Sequence, residues 1–198
     1  MERLYSFYSP FYDYTFGKIL SPGRKKAMGL LQHLPGQRVL EIGIGPGSTL
    51  PLYPSDTNIV GIDISEKMIV KARKKAKRMS NGREINLRVM DACRLDFPDA
   101  SFDAVVSSYV ITVVPDPVRA CREMRRVCKP GGQIIVVNHT RSANGLRGKL
   151  EDVFSPIFVK LGFVTDLDVI SVMTGCGIEI EHIHGVPMGL HKVIIGRR

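Results

Sequence analysis

The sequence predicts an α/β domain built on an open, mostly parallel sheet with helices on both faces. Three observations carry that expectation. Short strand-like runs alternate with helical patterns from residue 38 onward, which is the order that βαβ units produce. Those runs are apolar almost throughout rather than alternately polar, as strands buried on both faces are. The chain has 198 residues, 44% of them hydrophobic and 24% charged, enough to bury a real core within one domain.

The elements follow in order. Val39-Leu40-Glu41-Ile42 is short, largely apolar and ends at glycines, so it reads as the first strand. Residues 48–53 form a short helical or turn segment, interrupted by Pro51 and closed by Pro54. Residues 58–63 are the second strand. Ser65 then caps a helix in which Met68, Ile69, Ala72, Ala76 and Met79 recur at helical spacing. Its opposite face, with Lys67, Lys71, Lys74, Lys75 and Arg78, reads as a solvated exterior. Residues 87–91 and 102–110 are the third and fourth strands. Residues 119–127 form a helix stopped by Lys129-Pro130-Gly131-Gly132, and residues 133–138 the fifth strand. Residues 149–160 look helical, with Pro156 kinking or dividing them. Residues 178–183 and 191–195 are two late strands, close enough to pair antiparallel.

Composition narrows the class. With 28 Lys+Arg against 19 Asp+Glu the formal net charge is +9, which attracts polyanions such as nucleic acid or an anionic lipid leaflet. No appended RNA module or spread of stacking aromatics accompanies the charge, so nucleic acid is not the expected partner. No apolar run approaches the about 20 residues that span a bilayer. Met1-Glu2-Arg3-Leu4-Tyr5 lacks the pattern of a secretory signal. Cys93, Cys121, Cys128 and Cys176 form no C-x-x-C pair, so reduced thiols, no metal site and a cytoplasmic location are expected. Aromatics are unevenly placed: Tyr5, Phe7, Tyr8, Phe11, Tyr12, Tyr14 and Phe16 crowd the start of the chain.

Gly43-Ile44-Gly45-Pro46-Gly47 directly follows the first strand. Such a loop turns tightly and lets a ligand approach backbone where a Cβ would clash, although glycine-rich turns match the pattern without binding anything. Its acidic neighbours sharpen it. Glu41 lies just before the glycines, Asp63 ends the second strand and Asp91 the third. Ligands of such sheets bind outside the carboxyl ends of the strands, where Asp63 can meet ribose hydroxyls and Asp91 an adenine amino group. A dinucleotide pyrophosphate is poorly served by an acid beside the loop. A sulfonium with an amino group is attracted by one, so S-adenosylmethionine fits better than a nicotinamide dinucleotide.

These residues, with Met90-Asp91-Ala92, the stretch Phe97-Pro98-Asp99-Ala100-Ser101-Phe102-Asp103 and Arg126-Val127-Cys128-Lys129-Pro130-Gly131-Gly132, resemble the class I S-adenosylmethionine-dependent methyltransferases over nearly the whole chain. The resemblance implies a Rossmann-like, seven-stranded sheet whose last strand is antiparallel. It implies that Glu41, Gly43, Gly45, Gly47, Asp63 and Asp91 hold the cofactor. Tyr8, Ile64, Ser65, Met68, Ala92 and Ser107 would line it.

A closer likeness lies in Tyr8-Ser9-Pro10-Phe11-Tyr12-Asp13-Tyr14, Gly23-Arg24-Lys25-Lys26-Ala27, Tyr109 to Pro117, and Val137-Asn138-His139 followed by Glu151, Pro156 and Lys160-Leu161-Gly162-Phe163. These resemble the small soluble bacterial phosphatidylethanolamine N-methyltransferases. Thr140 stands where that family often has Phe, and Pro46 where Thr is common. Independently, Leu4, Phe7, Tyr8, Phe11 and Tyr12 follow i, i+3, i+4, i+7, i+8 spacing, an aromatic helical face with Arg24, Lys25 and Lys26 downstream. Pro10 within it favours a bend that a lid could use.

The resemblance therefore implies residues 1–30 as N-terminal amphipathic lid or membrane-contact helices and 31–198 as the methyltransferase domain, one structural domain overall. The expected activity is stepwise methylation of phosphatidylethanolamine to phosphatidylcholine with S-adenosylhomocysteine as product. The enzyme would be a monomer, peripheral on the inner leaflet. His139 is the candidate general base or relay, Tyr8, Tyr12 and Tyr109 line the amine, and Asn138 orients it. Arg141 or Arg24 meets the lipid phosphate, and Tyr5, Phe11, Lys25 and Lys26 the membrane. Ser107-Ser108-Tyr109-Val110 occupies the position after the fourth strand. Neither an Asn-Pro-Pro-Tyr-like tetrad nor a Pro-Cys nucleophile stands there, which speaks against DNA amino-methylation and cytosine C5 chemistry. A methyltransferase of quinone carbon or of another small molecule, and a binding protein without turnover, are the alternatives.

Overall fold

The computed structural model describes residues 9–79, 83–139, 167–186 and 191–198. Its centre is a seven-stranded sheet in the order β3-β2-β1-β4-β5-β7-β6. The strands are β1 (Arg38–Ile42), β2 (Asn58–Asp63), β3 (Ile85–Val89), β4 (Phe102–Ser108), β5 (Cys128–His139), β6 (Glu179–Gly185) and β7 (His191–Arg197). The pairs β1–β2, β1–β4, β2–β3 and β4–β5 are parallel. The last strand, β7, runs antiparallel to both its neighbours. This is the Rossmann-like arrangement, with the final strand reversed.

Period-two alternation sends successive side chains of the central strands into two separate cores. Leu40, Ile42, Val60, Ile62, Val105 and Ile134 face one side, under α3 (Pro117–Val127) and α4 (Val169–Gly175). Val39, Ile59, Val106, Ile135 and Val137 face the other, under α1 (Ser9–Leu30) and α2 (Glu66–Lys77). Both faces are therefore covered, which is why these strands read as apolar runs.

Element ends depart from expectation for identifiable reasons. Ser65 sits at the N-cap of α2, but its hydroxyl makes no capping bond; its carbonyl receives the first helical N–H groups, from Met68 and Ile69. β3 ends at Val89: the Met90 N–H makes the last bond to β2, at the Asp63 carbonyl, and Asp91 then accepts from the Cys93 N–H in a local turn. β4 stops at Ser108 because Tyr109 takes φ +64°, a left-handed conformation no strand continues through. α3 starts two residues early, with Asp116 accepting from the Arg119 N–H and Pro117 in the first turn, where its missing N–H costs nothing. Lys129-Pro130-Gly131-Gly132 does not separate helix from strand. β5 begins at Cys128 and absorbs the segment as a register shift between its pairings with Phe102 and Ala104. α4, capped by Asp168, has a β-branched sequence that does not announce a helix. The helix expected over 149–160 lies outside the described residues.

α1 is one described helix with Pro22 inside it. Pro10 falls in its first described turn, and the segment before Ser9 that would bend there lies outside the described residues. Of the expected aromatic face, Leu4, Phe7 and Tyr8 lie outside the described residues. The carboxyl end of α1 is tied down by Gln133 of β5, whose amide donates to the Leu30 carbonyl and accepts from the Gln32 N–H. Two turns earlier Gly23 presses on Tyr109, just beyond β4, and on β5: a Cβ there would stand 2.1 Å from the Tyr109 hydroxyl oxygen and 3.0 Å from a Val137 methyl. Gly23→Ala is therefore expected to destabilise the protein by about 1–3 kcal/mol through overpacking. Gly29→Ala, on the same helix with nothing within 4 Å, is expected to be neutral or slightly stabilising. Urea midpoints of the two variants check this.

Candidate cofactor and acceptor site

The order of the sheet reverses between β1 and β4, so the crevice outside their carboxyl ends is where an open α/β sheet takes a ligand. The glycine loop leaves β1 into that crevice. Gly43 and Ile44 both donate to the Ile62 carbonyl, at 2.8 and 2.9 Å, holding the loop against β2. Gly43 has φ +70°, and a Cβ there would stand 2.1 Å from a Val110 methyl. Asp63 ties the loop to α2: one carboxylate oxygen accepts from the Gly45 N–H at 2.9 Å, the other from the Ser65 N–H at 2.8 Å. Burial raises its carboxyl above the usual carboxylate range, and these two N–H groups oppose the rise. Over Gly45 there is open space, with nothing within 4 Å of where a Cβ would lie.

Glu41 is placed differently from an acid lining an open crevice. It is 1% exposed. The Thr49 hydroxyl stands 2.7 Å from each of its oxygens, and the Tyr53 hydroxyl donates to Oε2 at 3.0 Å. Burial pushes its carboxyl up from 4.5 to about 7, opposed by the two hydroxyls and the Arg24 charge. The sequence reading did not find Thr49 or Tyr53, because no motif spacing marks a loop that folds back on its own strand.

The ends of β2 and β3 carry Ile64, Ser65, Met68 and Asp91. Ile64 is 71% exposed, an apolar side chain left open beside Asp63. Ser65 and Met68 are half-buried, Asp91 exposed and Ala92 buried. The ends of β4 and β5 carry buried polar groups. Ser107 is fully buried, and its hydroxyl has no partner among the described residues. Asn138 is 2% exposed and accepts from the Thr112 hydroxyl at 3.2 Å. Tyr109 donates to the Leu20 carbonyl of α1 at 3.2 Å, so its hydroxyl is committed to that helix. The half-buried Arg24 stands 5.7 Å from the Tyr109 ring centroid. Burial pushes the Tyr109 phenol well up, with Arg24 opposing.

His191, which the sequence left without a role, is 3% exposed and meets the Tyr109 ring edge-on with centroids 5.2 Å apart. Its backbone pairs with that of His139 across β5 and β7. His139, Tyr12 and Phe11 are described through their backbones alone. Tyr5, Tyr8 and Arg141 lie outside the described residues. Lys25 and Lys26 are exposed on α1.

The donor set suits S-adenosylmethionine. Open backbone at Gly45 with Asp63 bonded to it, the buried Glu41 of β1, the exposed Asp91 after β3, the bare apolar Ile64 and the unpartnered Ser107 hydroxyl match a ligand with a cationic end, a ribose and an aromatic base. Among the described residues no cluster could hold a metal ion, and no helix is long and apolar enough to cross a membrane. A separate recess of about 160 Å3, with Gln37, Asp103, Lys129 and Arg197 among its walls, lies at the amino ends of the strands, away from these groups. Two stretches of the family likeness brace that same end: Asp103 pairs with Lys129 at 2.6 Å and Arg126 with Asp99 at 2.8 Å.

Comparison with known proteins agrees with the geometry. Residues 40–136 match the model of a methyltransferase domain. A phosphatidylethanolamine N-methyltransferase of Cereibacter sphaeroides is 39% identical over 170 residues, 85% of this chain and 83% of that protein. A ubiquinone/menaquinone biosynthesis C-methyltransferase of Geotalea daltonii is 29% identical over 146 residues, 69% of this chain and 62% of that protein. The crystal structure of an S-adenosylmethionine-dependent methyltransferase from Thermotoga maritima superposes with a TM-score of 0.71 at 25% identity, covering 100% of this chain and 99% of that one.

Gly43→Ala is expected to weaken binding of S-adenosylhomocysteine by tenfold or more, about 1.4 kcal/mol, because the added methyl both strains a left-handed residue and strikes Val110. Isothermal titration calorimetry on the full chain reads the effect.

Proposed function

The chain belongs to the class I S-adenosylmethionine-dependent methyltransferases, and we propose that its acceptor is the amine of phosphatidylethanolamine and of the mono- and dimethyl derivatives, with phosphatidylcholine as end product. The observation that carries this reading is the 39% identity to a phosphatidylethanolamine N-methyltransferase over 83% of that protein's length.

When bound, S-adenosylmethionine supplies a methyl group already activated on a sulfonium, so the protein's task is mainly alignment and removal of water. Asp63, Ser65 and Asp91 would hold its nucleoside end, and Glu41 its cationic end, across the loop of Gly43, Gly45 and Gly47, whose backbone lies open at Gly45. Tyr8, Ile64, Met68, Ala92 and Ser107 would complete the walls. A protonated amine has no lone pair to offer, so a proton has to leave; His139, ending β5, would accept it directly or through water. Asn138, steadied by Thr112, would orient the amine, and the rings of Tyr12 and Tyr109 would stabilise the head group as methyls make it permanently cationic.

Residues 1–30 serve in this reading as lid and membrane contact, and 31–198 as the methyltransferase domain. Tyr5 and Phe11 would enter the interface, with Arg24, Lys25, Lys26 and Arg141 meeting lipid phosphates on an anionic inner leaflet. The protein would act there as a peripheral monomer.

The second reading is quinone C-methylation, favoured by the 29% identical relative. Radiolabelled methyl transfer to anionic liposomes holding either amine lipids or demethylated quinones separates the two. Label is expected in the amine lipids, and label confined to quinone overturns the substrate. His139→Ala is expected to lower kcat by about 100-fold or more while S-adenosylhomocysteine affinity stays near wild type; an unchanged kcat removes His139 from the mechanism.

A further inference from the structure

Glu41 poses a problem that its burial alone would solve the wrong way. A carboxylate taken out of water with no partner takes up a proton, and a neutral acid has nothing to offer a cationic ligand. Two hydroxyls work against that. Thr49 stands 2.7 Å from both carboxylate oxygens and Tyr53 donates at 3.0 Å. Thr49 is 1% and Tyr53 3% exposed, so water does not substitute for either. Both donors sit just beyond the glycine loop, flanking the short 3-10 turn Leu50–Leu52. Arg83 fixes that turn from outside by donating to the Leu50 and Tyr53 carbonyls. A carboxylate has about four lone-pair positions. One threonine proton shared between two oxygens and one tyrosine proton leave acceptor capacity on Glu41.

We propose that Thr49 and Tyr53 are positioning residues of the cofactor site, their hydroxyls holding the Glu41 carboxylate ionised and in one orientation for the positively charged methionyl end of S-adenosylmethionine. The proposal rests on the reading of the glycine loop as the cofactor site. Its other charged neighbours are few. Arg24 of α1 favours the ionised form. Lys75 of α2 lies beside Arg24, its ammonium pushed down first by burial and then by that guanidinium. Tyr53 is held neutral by burial and by Glu41 itself, and so remains a donor. Asp63 lies across the loop, occupied by the Gly45 and Ser65 N–H groups.

The sign of the pH effect follows. Burial places the Glu41 carboxyl near 7 in the free protein. A cationic ligand prefers the ionised form, so affinity weakens as pH falls through that value. The hydroxyls lower the carboxyl's proton affinity, so deleting either one moves the inflection to higher pH. Glu41→Gln cannot titrate and loses it.

The experiment measures binding of S-adenosylhomocysteine by calorimetry to the full chain from roughly pH 6 to 9, for wild type, Thr49→Val, Tyr53→Phe, Thr49→Ser and Glu41→Gln. The ligand's own amine titrates identically in every case, so differences between proteins isolate Glu41. The expected result is an inflection displaced upward by about one pH unit in Thr49→Val and Tyr53→Phe, restored in Thr49→Ser and absent in Glu41→Gln. A loss of affinity equal at every pH, or the same inflection in all five proteins, assigns the hydroxyls to the fold alone and overturns the proposal. Failure of the wild-type protein to bind at any pH overturns the cofactor reading and this proposal with it.

Discussion

The reversal of strand order between β1 and β4 is the constraint on which the rest depends. β2 and β3 lie to one side of β1, and β4 and the remaining strands to the other. The connections therefore leave the carboxyl ends of β1 and β4 in opposite directions, and a crevice opens between them. The glycine loop can enter it only by turning at once, which is why Gly43 takes a left-handed conformation with no room for a side chain against Val110. Polar groups of the site lie at strand ends on both sides of that opening: Glu41 and Asp63 on the glycine-loop side, Ser107, Tyr109 and Asn138 on the other.

Charge is handled there by local hydrogen bonding rather than by ion pairs. Asp63 is held by two backbone N–H groups and Glu41 by two hydroxyls, with no Lys or Arg in direct contact with either among the described residues. A carboxylate locked to a guanidinium would be electrostatically spent; one held by neutral donors keeps most of its field for a cationic ligand. Arg24 is the link to α1. It acts on Glu41 through space and lies over the Tyr109 ring, while Tyr109 bonds to the same helix one turn earlier. The docking of α1 and the electrostatics of the cofactor side are thus coupled through a few side chains.

Much of this was legible in the sequence where a single periodicity decides the outcome. β1 and β2 were readable because strands buried on both faces must be apolar, and the acids stood out against those runs. What escaped depends on contacts distant in the chain or on single backbone conformations. Tyr109 ends β4 by adopting a positive φ, which no composition rule assigns to a tyrosine. Lys129-Pro130-Gly131-Gly132 has the residues of a break, yet β5 pairs with β4 on both sides of it, at Cys128 and Gln133, while Gly131 donates to the Arg198 carbonyl and Gly132 accepts from the Arg198 N–H. α4 owes its existence to the Asp168 cap and to Val169 and Met173 packing into the core, overriding weak helix propensity. Thr49, Tyr53 and His191 carry no motif of their own. Their importance comes from what folds over them.

A crystal structure of the full chain with S-adenosylhomocysteine tests the central claim most directly. The account predicts the ligand over Gly45, its ribose at Asp63, its base between Ile64 and Asp91, and its amino group toward Glu41. A ligand bound elsewhere, for instance in the recess at the amino ends of the strands, would contradict it.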